Sequence, residues 1–226
     1  MNEKLFLTGC DKNTEWQLEW FLNNLRKHTD CKVAVGDFGM TKEARTWCKE
    51  HFDYVLDVNA EGWFAKVEMM WMMKPTFGNG KYCWLDTDCQ VLANPEGIFG
   101  YTEYDKLTMV VDHPWTENGS PWTPQGNCGP WYNSGVVAFQ IDNLNLPIVL
   151  QNWRQEIKAQ KHRGDQEALY WLLNLSAMNR VIHIAEAPHR YNVLRLDTLQ
   201  ERVPNKPDVM HWTGHKGKDE IKRQMK

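Results

Sequence analysis

The 226-residue sequence is short of several features that assign a chain at a glance. It has no apolar run near the ~20 residues that a membrane-crossing helix needs. Its N-terminus lacks the charged-then-apolar layout of a secretory signal, because polar Thr8 and Asp11 interrupt Leu5-Phe6-Leu7. Basic excess is missing too: the formal net charge is -3, which removes the electrostatic footprint of a nucleic-acid binder. Six cysteines, at positions 10, 31, 48, 83, 89 and 128, contain no Cys-x-x-Cys pair and so resemble neither a zinc ribbon nor a small disulfide scaffold. Several lie in apolar segments, where a free thiol behaves as a small hydrophobe. Together these absences lead to the expectation of a soluble, cytoplasmic enzyme with no nucleic-acid partner and no transmembrane segment. The basic tail from Lys216 to Lys226 leaves two readings open, a solvated terminal helix and a peripheral contact with an anionic membrane.

What is present is an ordinary folded composition, 42% hydrophobic and 24% charged, in a length that suits one domain with a sizeable core. Tryptophan is the exception, with twelve residues. Its flat ring fills cores and also packs on the C–H face of a sugar, so the enrichment alone does not choose. No internal repeat, low-complexity segment or linker divides the chain, and 1–226 reads as a single domain. In it, the character of the chain changes between a first half, 1–112, and a second half, 113–226.

Hydrophobic periodicity gives an alternating order. Leu5-Phe6-Leu7 reads as a strand, followed by a capping box with Thr14 as N-cap and Gln17 three residues on, then Leu18, Leu22 and Leu25 at helical spacing. A strand at Lys32–Val35, a helix from Thr41, a strand at Tyr54–Leu56 and a helix from Gly62 to Met73 stopped by Pro75 follow. Lys81–Leu85 is the next strand. Strands alternating with helices predict an α/β fold with a mixed, mostly parallel central sheet flanked by helices. Beyond it, Leu107–Val111 and Tyr132–Ile141 read as strands around a Pro-, Gly- and Trp-rich loop from His113 to Trp131. Helices near Leu146–Ala159 and from Asp165 and short strands near Val181–Ile184 and Asp208–His211 complete the pattern.

The chemistry begins at Trp84-Leu85-Asp86-Thr87-Asp88. Ligands of open α/β sheets gather beyond the carboxyl ends of strands. Two carboxylates crowded there repel unless a cation or a proton lies between them. Mg²⁺ or Mn²⁺ suits that role, and a solvated turn is the alternative.

Four ordered segments narrow the choice: Asp86-Thr87-Asp88, Asn133-Ser134-Gly135-Val136, Gly164-Asp165-Gln166 and His211-Trp212-Thr213-Gly214. In this order they resemble the retaining glycosyltransferases of the glycogenin and bacterial lipopolysaccharide galactosyltransferase group, which have the GT-A fold, a Rossmann-like nucleotide-diphospho-sugar transferase domain. The resemblance implies that Asp86, Asp88 and His211 coordinate Mn²⁺, with Mg²⁺ as the other candidate. A nitrogen ligand shifts the preference toward Mn²⁺. It also implies a nucleotide-sugar donor, UDP-glucose or UDP-galactose, and a glycan or other acceptor. Asp112, Asn133, Ser134 and Asp165 then resemble residues around the donor sugar, and Gln166 the position beside the reacting anomeric carbon. A glutamine is a poor nucleophile, which favours same-face attack by the acceptor over a covalent intermediate. Lys66 resembles a basic donor contact, and Thr8 the place of the base and ribose, with Asp37 as a further candidate there.

The resemblance breaks near the C-terminus. Six residues after the histidine the family has a lysine, and this chain has Gly217 flanked by Lys216 and Lys218. Either lysine could reach the diphosphate from a flexible Gly-rich segment, with Lys216 favoured because Gly214 and Gly217 bracket it. Trp115 and Trp122, with Trp131, offer flat faces for an acceptor. Two other functions remain open at this point: a metal-dependent phosphohydrolase with Asp86 as nucleophile, and a sugar-binding protein without catalysis.

Overall fold

The structure is a computed structural model, and it describes residues 3–60, 62–112, 129–141, 145–159, 162, 164–180 and 182–226. Trp115 and Trp122 lie outside the described residues.

Among the described residues the main sheet has seven strands. These are β1 (Glu3–Cys10), β2 (Lys32–Asp37), β3 (Tyr54–Asp57), β4 (Gly80–Leu85), β6 (Lys106–Val111), β7 (Tyr132–Ile141) and β8 (His183–Glu186), in the order β3-β2-β1-β4-β7-β6-β8. The first four run parallel; β7 is antiparallel to both β4 and β6, and β8 is parallel to β6. Strands from both halves of the chain therefore share one sheet. A small second sheet joins β5 (Cys89–Val91), β9 (Val193–Leu194) and β10 (Val209–His211) in the order β5-β10-β9.

Side-chain alternation sorts the sheet into two cores. Leu5, Leu7, Tyr82, Trp84, Val137 and Phe139 point to one face, against α3 (Ala65–Phe77), α4 (Asn145–Lys158) and α5 (Asp165–Asn174). Phe6, Cys83, Leu85, Val136 and Ala138 point to the other, with Leu18, Phe21, Leu22 and Leu25 of α1 (Leu18–Arg26), Cys48 of α2 (Lys42–His51) and Ile221 of α7 (Gly214–Gln224). A sheet covered on both faces explains why β7 is buried at every position. Fully burying each Leu, Val or Phe stabilises the fold by about 1.5–3 kcal/mol. Trp84 and Trp153 are among the largest fully buried side chains, so tryptophan serves the core here at least as much as any ligand. No helix among the described residues is long and apolar enough to cross a membrane.

Three local expectations are corrected. Thr14 makes no side-chain cap; its hydroxyl donates to Asp11 Oδ1, Asp11 closes that turn, and α1 begins only at Leu18. Pro75 does not stop α3. It sits in the last turn, where its missing N–H removes a single bond, and the helix ends at Gly78, whose left-handed φ of 80° lets its N–H reach Met73 O and Lys74 O. Asp165 opens α5 as expected, with Gly164 at the N-cap. Lys216 and Lys218 lie on α7, not in a flexible segment.

Candidate functional site

Beyond the end of β4 the chain turns sharply through Asp86, Thr87 and Asp88. The turn is fixed by three main-chain bonds: Asp86 N–H to Gly135 O (2.9 Å), Cys89 N–H to Asp86 O (2.9 Å) and Trp212 N–H to Asp88 O (2.9 Å). Thr87 points inward and donates its hydroxyl to Gln17 Oε1 at 2.5 Å, tying the turn to the start of α1. The carboxylates of Asp86 and Asp88 stay half-buried. The small sheet delivers the third group, because His211 pairs with Cys89 across β10 and β5. His211 Nε2 lies 3.1 Å from Asp88 Oδ1 and 3.8 Å from Asp86 Oδ2. Gly135 makes this approach possible: a Cβ there would sit 2.0 Å from His211 Cε1.

A buried amide network fixes the polarity of that histidine. The Gly135 N–H donates to Asn133 Oδ1 (2.9 Å), so Asn192 must present its Nδ2 to the same oxygen (2.8 Å). Asn192 Oδ1 then faces His211 Nδ1 at 3.2 Å and accepts a hydrogen bond from it, so Nε2, the nitrogen facing the two aspartates, is the one that would release its proton to take a cation. Gln166 is anchored in the same way. Its Oε1 accepts the Ser134 N–H (3.2 Å), so its Nε2 donates to Asp112 Oδ2 (2.9 Å). Asn133 Nδ2 reaches that oxygen too, at 3.4 Å. Asp112 Oδ1 is buried with no hydrogen-bond partner. Burial raises the pKa of Asp112 above the usual carboxylate value, against the opposing pull of the Gln166 and Asn133 amides.

Lys66, on the first turn of α3, is the cation of the site. Its ammonium lies 3.0 and 3.2 Å from the two oxygens of Asp86 and 3.2 Å from Asp165 Oδ2, and it donates to Ser134 O at 3.2 Å. Burial alone would lower the Lys66 pKa; Asp165 and Asp86 outweigh it and keep the ammonium charged. The ammonium is the partner of Asp165 Oδ2 in this cluster. The same competition acts at the far end of the cluster. Burial would push His211 toward its neutral form, but the Asp88 carboxylate raises its pKa, and His211 in turn holds Asp88 below its ordinary value despite burial.

Two carboxylates and one imidazole nitrogen form an oxygen-rich donor set with a fixed histidine tautomer, which fits Mn²⁺ or Mg²⁺. Asp86, Asp88 and His211 are the residues that would hold the ion.

No protein-family model matches the chain, and no curated protein matches it. Solved structures do match. The galactosyltransferase LgtC, in complex with donor and acceptor sugar analogs, superposes with a TM-score of 0.64 at 13% identity, over 93% of this chain and 87% of that one. The glycosyltransferase GlyE of Streptococcus pneumoniae TIGR4, in its apo form, gives 0.61 at 14% identity, over 95% of this chain and 55% of that one. The bifunctional glycosyltransferase WbbM gives 0.59 at 14% identity, over 95% of this chain and 46% of its own length. This chain has the glycosyltransferase GT-A fold.

Within that fold the remaining expected residues fall as follows. Thr8 is fully buried on β1, its hydroxyl without a partner. Asp37 is spent on its own loop, accepting from Gly39 and Met40 N–H and pairing with Arg45. Gly214 opens α7 with a left-handed φ of 73°, three residues after His211, so the first turn of α7 carries Lys216 and Lys218. Lys216 is exposed and Lys218 half-buried. Gly217, at the place of the family's lysine, is buried, and a Cβ there would meet Trp212 O at 1.9 Å. Trp131 packs its ring on Tyr170 of α5, with centroids 4.8 Å apart.

Three supporting residues went unnoticed in the sequence. Trp84 donates its indole N–H to Asp86 Oδ1 at 2.6 Å, a link that period-two spacing on one strand could have suggested. Phe38 stacks on Trp84 (6.1 Å, 12°), in space left by Gly9 and Gly36, where a Cβ would strike its ring. Asn192 follows a short helical turn and carries no motif.

Proposed function

We propose that the chain is a metal-dependent glycosyltransferase that moves a hexose from a nucleotide-sugar donor, UDP-glucose or UDP-galactose, to a glycan or other acceptor with retention of configuration. The observation that carries this reading is His211 Nε2, 3.1 Å from Asp88 and 3.8 Å from Asp86, set beside a cup of polar groups already oriented by backbone N–H donors.

Bound Mn²⁺ or Mg²⁺ supplies Lewis-acid stabilisation of the charge that develops on a leaving diphosphate. The protein's own groups do the rest. Asp112 Oδ1 is a buried acceptor without a hydrogen-bond donor, and a sugar hydroxyl is a donor of the right kind. Gln166 is a neutral amide with both ends committed, so it holds the reacting centre without forming a covalent adduct. That favours attack by the acceptor on the face from which the nucleotide leaves. An active-site glutamine is also the residue changed in a solved LgtC mutant, which supports placing Gln166 beside the chemistry. Lys216, on the first turn of α7, extends the positive charge to the diphosphate.

Titration calorimetry tests the donor side. UDP, UDP-glucose, UDP-galactose and GDP are each titrated with Mn²⁺, with Mg²⁺ and with EDTA. Metal-dependent binding of a uridine nucleotide, lost in Asp88→Ala, is the expected result. Absence of binding by every nucleotide with either ion contradicts the proposal.

A further inference from the structure

Asp86 is not free in this conformation: Lys66 sits on both of its oxygens and the Trp84 indole on one. The ligand atoms that converge are a different set. One atom each from Asp88, Cys89 and His211 lies within 4.8 Å of the others. The backbone dictates this grouping, since Cys89 and His211 are directly opposed on antiparallel strands and residues so opposed project to the same face. Asp88 is the residue before Cys89. The Cys89 sulfur is committed to nothing stronger than a 3.7 Å contact with Gly135 O.

We propose that Asp88, Cys89 and His211 form a second coordination mode at this centre, one that takes a thiophilic dication such as Zn²⁺. One sulfur, one nitrogen and one oxygen are a donor set that zinc accepts, with a fourth position left open. Zinc bond lengths of about 2.0–2.3 Å place tetrahedral ligand atoms roughly 3.3–3.7 Å apart, so shifts of about 1 Å close the observed set. On binding, the Cys89 S–H bond breaks, the sulfur coordinates the ion as thiolate, and the proton passes to solvent. Asn192 holds the histidine tautomer that this mode requires, as it does for the oxygen-rich mode. The two modes share Asp88 and His211 and exclude each other, so zinc closes the centre against Mn²⁺. This last consequence rests on the proposed function; the coordination itself does not.

Cobalt(II) is the probe, because a cobalt–thiolate bond adds a sulfur-to-metal charge-transfer band in the near ultraviolet. Metal-free protein titrated with Co²⁺ shows that band in the wild type and in Asp86→Asn, and loses it in Cys89→Ala and Cys89→Ser while circular dichroism stays native. A wild type without the band, or a band that survives Cys89→Ala, overturns the coordination mode. Because no donor is involved, that result is independent of whether the chain transfers sugar. In a turnover assay run with Mn²⁺, the zinc concentration that halves the rate rises at least tenfold in Cys89→Ala. An unchanged value overturns the mutual exclusion.

Discussion

The buried carboxamide of Asn192 is the most exposed point of the mechanism, because it holds the proton on His211 Nδ1 and so leaves Nε2 as the nitrogen for a cation. Replacing it with leucine keeps the volume and removes two hydrogen bonds, 3.2 Å to His211 Nδ1 and 2.8 Å to Asn133 Oδ1. The stranded imidazole N–H costs about 1–3 kcal/mol. Asn133 Oδ1 keeps the Gly135 N–H and adds about 1 kcal/mol at most. The proton is then free to move to Nε2, the nitrogen that faces Asp88. Loss of such an outer partner weakens metal binding by about 10–100-fold, which is roughly 1.4–2.7 kcal/mol. Asn192→Asp separates this effect from packing: it keeps an acceptor for the Nδ1 proton, while the donor to Asn133 becomes an oxygen facing Asn133 Oδ1 and a buried charge is added beside the imidazole. Titration with Mn²⁺ followed by electron paramagnetic resonance should show weakened binding in Asn192→Leu and most of the affinity kept in Asn192→Asp. Equal weakening in both variants, or none in Asn192→Leu, refutes the tautomer argument.

Other perturbations follow from the same contacts. Gly135→Ala places a methyl 2.0 Å from His211 Cε1 and should abolish Mn²⁺ binding by calorimetry while circular dichroism stays native. Gly217→Ala inverts the usual helix effect: the exchange ordinarily stabilises by about 1 kcal/mol, but a Cβ 1.9 Å from the Trp212 carbonyl should lower the melting temperature instead. Lys66→Met leaves Asp165 and Asp86 without their buried cation and should cost about 3–5 kcal/mol in denaturant titration without metal, with Mn²⁺ recovering part of it. Trp84→Phe removes the 2.6 Å bond to Asp86 Oδ1 and should lower stability by about 1.5–3 kcal/mol in denaturant titration, with the Phe38 stack kept.

Much of the fold was legible because periodicity is a local property. The alternation through Lys81–Leu85 and the extent of Tyr132–Ile141 follow from side chains that bury on both faces, and the two-layer covering follows from the helices between them. Strand order was not legible. Nothing local says that β7 inserts between β4 and β6, or that β10 carries His211 to Cys89, since both depend on partners far along the chain. Turn chemistry misled at Thr14, because Asp11 competes for the same turn and wins with a charged acceptor. At the site, residue type and order brought Asp86, Asp88, His211, Asn133 and Gln166 to attention. Asn192 escaped because its role exists only through contacts with strands β7 and β10. The replacement of a lysine by Gly217 was visible as a letter, but its cause, the closeness of α7 to the Trp212 backbone, was not.

One measurement bears most directly on the central claim: release of nucleotide from UDP-, GDP- and dTDP-sugars, with Mn²⁺ and with chelator, beside Asp88→Ala and a generic phosphate ester. Mn²⁺-dependent release from one sugar nucleotide, absent with chelator and in Asp88→Ala, and no hydrolysis of the ester, is the predicted result. Hydrolysis of the ester with every sugar nucleotide left intact would contradict the account and assign Asp86 and Asp88 to phosphoryl chemistry.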